Sequence, residues 1–108
     1  MPSSYRMLAT EIALDAVAAE RERQESLVAA GKFASTCAGE MSDVDRYLVL
    51  AEEVAEVTQL ITAAAFDGAL RDDFRERLRE ELVQVAAVAV AWIEGLASDA
   101  DMEPDADA

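Results

Sequence analysis

Apolar residues recur along this chain at intervals of three and four, the spacing of one helix face, and nothing breaks that pattern between Pro2 and Pro104, the only prolines. With alanine, leucine, valine and glutamate dominant, the pattern predicts an all-α protein. A first helix is expected over about residues 5 to 29, with Leu8, Ile12, Ala16, Ala19 and Leu27 on its apolar side and a highly charged second half. Residues 30 to 41, with Gly31 and Gly39, read as a connection long enough for so small a domain to suggest a functional loop. Ser42-Asp43-Val44-Asp45 is a helix start, Ser42 capping and the aspartates opposing the helix dipole. The second helix should run from Asp43 to Phe66 along a stripe of Val44, Tyr47, Leu48, Val54 and Ile61, and end at Asp67-Gly68. The third begins near Asp72 or Asp73, carries Arg71, Arg75, Arg77 and Arg79 at its start, and turns apolar on every side from Leu82 to Ile93, where Gln84 is the sole polar residue.

A helix without a polar face must be covered all round. Two further helices of one chain do not manage that, so a bundle of about three long helices completed by homo-oligomerisation is expected. Residues 1 to 97 form one domain, and residues 98 to 108, with five acidic residues and little to bury, an acidic disordered tail.

Charge narrows the functions. A net charge of -14, from 23 acidic and 9 basic residues, opposes direct binding to nucleic-acid backbones or anionic membranes. The chain has no histidine, which removes imidazole-based nucleophilic catalysis and mixed Cys/His zinc sites and leaves proton transfer to carboxylates and metals to oxygen ligands. Magnesium or manganese fits that donor set, with calcium as a further option. Cys37 is the only cysteine, no secretory pattern opens the chain, and the longest apolar run, Val85 to Ile93, is about half of the roughly 20 residues that span a bilayer, so a soluble cytoplasmic protein is expected.

Within this frame two polar pairs stand out, Glu53-x-x-Glu56 and Glu81-x-x-Gln84, each inside an apolar helical stretch. Positions i and i+3 share a helix face, so each pair aims two side chains at one point. Carboxylates crowded among apolar residues repel and lose hydration, and a hard cation relieves both costs. Antiparallel packing of the two helices would bring Glu53, Glu56, Glu81 and Gln84 around one or two divalent ions. Glu52 and Glu80 point elsewhere. Gln84 reads equally as a core amide, a neutral oxygen ligand or a substrate-contacting amide. The cluster from Glu20 to Glu25 and the arginines at 71 to 79 read first as solvated faces, Trp92 as core and Cys37 as structural.

Glu52-Glu53-Val54-Ala55-Glu56-Val57, followed by Glu81-Leu82-Val83-Gln84, resembles the signature of the MazG-like all-α nucleoside triphosphate pyrophosphohydrolases, Glu-x-x-Glu then Glu-x-x-Asp. Glu20-Arg21-Glu22-Arg23-Gln24, Gly31-Lys32-Phe33 and Asp45-Arg46-Tyr47 extend the likeness to phage and bacterial MazG-like proteins, over about residues 12 to 96. The resemblance implies a helical bundle assembled as homodimer or homotetramer, and magnesium-dependent hydrolysis of a nucleoside triphosphate to a monophosphate and pyrophosphate. It makes Glu53, Glu56 and Glu81 the catalytic metal ligands with Gln84 as a fourth ligand or substrate contact, and Arg23 and Lys32 the phosphate-neutralising cations. Two departures are Ala55 for the usual glycine and Gln84 for the aspartate. The second removes one negative charge, so a nucleotide-binding or sequestering protein without turnover stands as an alternative, and an acidic helical interaction protein as a third reading.

Overall fold

The computed structural model describes residues 3–66 and 72–102, and among them it contains three helices and no strand: α1 (Ser3–Ala29), α2 (Asp43–Phe66) and α3 (Phe74–Met102). The expected stop at Asp67-Gly68, Arg71 and residues 103 to 108 of the tail lie outside the described residues. Local chemistry accounts for the end of α1 and the start of α2. After α1 the Lys32 amide donates to Leu27 O (2.8 Å) and the Gly31 amide to Val28 O (3.0 Å), with Gly31 at φ +75°. This paired closure needs a left-handed residue, which glycine adopts without strain. At the start of α2, Ser42 Oγ accepts the Asp45 amide at 3.1 Å, and Asp43 and Asp45 occupy the first turn.

α3 packs against both α1 and α2, whose Cα atoms stay more than 8 Å from each other among the described residues. Arg46 meets Asp99 at one end of the α2–α3 pair and Glu53 lies by Glu81 at the other, so the two helices run antiparallel. α3 extends through residues 98 to 102, beyond the boundary at residue 97, and Asp99 in that stretch takes up Arg46.

The inward faces follow the expected apolar stripes only in part, Ala16 and Leu27 on α1 being half-buried. On α2 the expected core residues Val44, Tyr47, Leu48, Val54 and Ile61 are exposed, while Arg46, Val49, Leu50, Glu53, Val57 and Leu60 turn inward. On α1, Leu8 and Ile12 are exposed, while Glu20, Arg21 and Gln24 face the rest of the chain. The buried apolar core is correspondingly small, with Cys37, Val88 and Ala91 at its centre and Val49, Leu50 and Trp92 packed around it. Accessible surface is 8064 Å², against roughly 5,800 Å² for a compact monomer of this mass. By length and composition alone α3 would suffice to cross a bilayer, a test that the central helix of a bundle also passes.

Arg46 ties the connection to both helices. It is fully buried and donates to Asp99 Oδ2 (2.8 Å) from α3, to Asp43 Oδ1 (3.3 Å) from its own helix, and to the Gly39 carbonyl (2.7 Å) from the 30–42 connection. Trp92 Nε1 donates to the same Asp43 Oδ1 at 2.9 Å, which keeps its ring at the core. A second tie begins on α1, where the buried Arg21 donates to Glu94 on α3 and pairs with Glu25, which accepts the Thr36 hydroxyl at 2.7 Å. Charge and hydrogen bonding therefore add to the burial of Cys37 and Ala38 in fixing the connection between residues 36 and 39.

Candidate metal centre and adjoining cleft

Glu53 and Glu56 stand one helical turn apart on α2, and Glu81 faces them from α3. One carboxylate oxygen from each lies within 4.8 Å of the others. Oxygens around a magnesium ion sit about 2.9 Å apart when adjacent and about 4.2 Å apart when opposite, given its octahedral bonds of 2.0–2.1 Å. Small side-chain movements would close the set on one ion. Glu53 Oε2 and Glu81 Oε2 are buried without a hydrogen-bond partner, an arrangement that costs free energy unless a proton or a cation satisfies them. The donor set, its spacing and these two orphaned oxygens fit a hard divalent cation.

The electrostatics agree. Burial, then the charges of Glu56 and Glu81, push the Glu53 carboxyl up to about 7. Burial, then Glu56, also raises Glu81, with Arg77 pulling the other way. Glu53 therefore binds its proton more tightly in the folded chain than in the unfolded one. The stability this contributes is fully present below the ordinary value near 4.5 and is lost as pH rises to about 7. After screening at so partly exposed a site is allowed for, the effect is on the order of 1–2 kcal/mol. We expect metal-free protein to lose thermal stability between pH 5 and 7.5 relative to Glu53→Gln. Magnesium should restore it, increasingly so toward high pH because the ligands must be deprotonated. Melting curves in chelator and in magnesium across that range provide the check, and superimposable profiles for the two proteins would remove the cluster from the account.

A cleft of about 330 Å³ opens beside the cluster, between α1 and α2 and over α3, with the connection at one end. Glu53, Gln84 and Arg23 line it together, so one expected ligand and the fourth position of the signature converge with one of the two expected cations. Lys32 does not join them: it is exposed past the cap of α1 and lines none of the described clefts. Arg23 is held bidentately by Glu20, with Nε–Oε2 2.7 Å and Nη2–Oε1 2.6 Å. Glu20 also lines the cleft and its charge adds to the upward push on Glu53.

Glu20, Gln24, Ser35 and Thr36 are cleft residues that reading the sequence as solvated helix and loop does not identify. For Glu20 and Gln24 the available signal is their place on the same helical face as Arg21, at 20, 21, 24 and 28, and for Ser35 and Thr36 it is their place in the long connection. The first signal becomes legible only when that face, rather than the apolar one, is turned inward. Comparison with protein-family models, with curated proteins and with solved structures finds no match to this chain.

Proposed function

We propose that this chain is a magnesium-dependent nucleoside triphosphate pyrophosphohydrolase of the MazG-like kind, acting in the cytoplasm, with manganese able to replace magnesium. The observation that carries the reading is the convergence of Glu53, Glu56 and Glu81, two of them with orphaned buried oxygens, beside a cleft that also holds Arg23 and Gln84. Glu53, Glu56 and Glu81 would hold the ion, with the Gln84 carbonyl as the neutral oxygen available nearby. A bound divalent ion supplies positive charge to the phosphate oxygens and cancels the repulsion among the carboxylates. One carboxylate of the set orients water toward the α-phosphorus and accepts its proton, a role within the reach of glutamate. Arg23, held by Glu20, neutralises phosphate charge at the mouth of the cleft.

Assembly belongs to the same reading. α2 has one face against α3 and a second, apolar face of Val44, Tyr47, Leu48, Val54 and Ile61 left exposed. A second copy covering it, in a dimer or a dimer of dimers, would remove the excess surface from water.

Incubation with magnesium and a panel of canonical and modified nucleoside triphosphates is expected to release pyrophosphate and the monophosphate from at least one. Release from none would overturn the enzymatic reading. The neutral Gln84 favours a second one, a nucleotide binder without turnover, because the site then has three negative charges where the signature has four. Gln84→Asp distinguishes them: we expect it to tighten magnesium binding about tenfold and to raise turnover in an enzyme, or to create turnover in a binder.

A further inference from the structure

A second cleft, of about 530 Å³, lies on the other side of the Glu20–Arg23 ion pair. Glu20, Arg23 and Gln84 line both clefts, so the pair and the amide form the wall that the two share. The linings differ in chemistry. In the first, Phe33 is exposed beside Val49, Val88 and Ala91, with Gln24 and the Thr36 hydroxyl as hydrogen-bonding groups. That combination of an aromatic face and neutral donors and acceptors suits a nucleobase and sugar. The second is lined by Arg79 and Arg23 among Glu76, Glu80 and Glu20. Two of Arg23's donors are already taken by Glu20, whereas Arg79 makes no ion pair among the described residues. Arg79 is therefore the guanidinium in this region with its full capacity left for an anion.

We propose that the two clefts divide a nucleoside triphosphate at the Glu20–Arg23–Gln84 wall, the nucleoside lying beside Phe33 and the departing pyrophosphate beside Arg79. The proposal rests on the pyrophosphohydrolase reading and adds to it a direction for the substrate and a residue for the leaving group. Size supports the division, since the first cleft is at the lower end of the range for small-molecule sites and accommodates a nucleoside more readily than a whole triphosphate. Arg79 lines the second cleft and not the first, whereas Glu53 lines the first and not the second, so the unpaired guanidinium marks the side toward which pyrophosphate departs. With carboxylates also lining the second cleft, pyrophosphate enters it as its magnesium complex.

The test is calorimetry on the full chain in magnesium, with inorganic pyrophosphate and a nucleoside monophosphate titrated separately. Arg79 and Phe33 are exposed, so their variants keep the fold, which circular dichroism verifies. Arg79→Gln should weaken pyrophosphate roughly tenfold and leave the monophosphate unchanged, as expected for losing a charge-assisted contact. Arg79→Lys should recover part of the loss, and Phe33→Ala should show the opposite selectivity. A chain that hydrolyses nucleotides but whose Arg79→Gln variant binds pyrophosphate normally, or loses both ligands equally, overturns this assignment while leaving the enzyme in place. A wild-type chain that neither hydrolyses nor binds any nucleotide overturns both.

Discussion

Glu53→Gln and Glu81→Gln are each expected to reduce pyrophosphate release at least about 100-fold while making the metal-free protein more stable. The two effects have one origin. Each glutamate contributes a buried oxygen with no partner, and in the absence of a cation its charge is opposed by the other carboxylates. Replacing it with a neutral amide relieves that opposition, and so raises the melting temperature in chelator. The same change replaces a charged metal ligand with a neutral amide oxygen that cannot accept a proton from water, a larger loss than the 10–100-fold typical when only a partner behind a ligand is deleted. The stabilising effect of magnesium should shrink in parallel. Gains in stability with unchanged activity would separate the cluster from the chemistry. A loss of stability would show that the carboxylates serve the fold.

The second large effect is expected at Arg46. Arg46→Ala removes the guanidinium that joins Asp99, Asp43 and the Gly39 carbonyl, and leaves a void in one of the few fully buried places in the chain. Asp43 and Asp99 are partly exposed and can return to water, so the main damage falls on the connection that Arg46 anchors. We expect a large drop in melting temperature, rapid amide exchange over residues 36 to 41, and weaker ligand binding, because Thr36 and Cys37 line the cleft. Gly95→Ala approaches the same contact from α3. Its Cβ would lie 2.5 Å from Arg46 Nη2 and 2.5 Å from the Cys37 carbonyl oxygen, and one of them must move. Overpacking of this kind costs about 1–3 kcal/mol. Gly95→Ala should therefore show the exchange changes of Arg46→Ala in milder form. Unaltered exchange over the connection in both variants would rule out the tie.

Much of the architecture was legible from local chemistry. Ser42 and the aspartates after it specify the start of α2, Gly31 the end of α1, and the absence of internal proline leaves each helix unbroken, because caps and propensities act within a few residues. The pairs Glu53–Glu56 and Glu81–Gln84 were legible for the same reason: spacing on one helix determines which side chains share a face. Which face turns inward is a different matter. The apolar stripe of α2 points away from α3, and the charged half of α1, from Glu20 to Glu25, borders the cleft. Periodicity marks a face as apolar without saying whether its own chain or another molecule covers it.

Arg46 shows the limit most clearly. A single arginine in an amphipathic helix reads as solvated, and only its placement against Asp99, 53 residues away, and the Gly39 carbonyl makes it buried and anchoring. The sequence by itself determined three helices, the closure of α1, the cap of α2 and two pairs of candidate ligands, since these depend on neighbours three or four positions apart. Tertiary structure alone decided that Glu81 meets Glu53 and Glu56, that Glu20 holds Arg23 at a cleft, and that Lys32 stands clear of it, because contacts between helices depend on how α1 and α2 lie on α3.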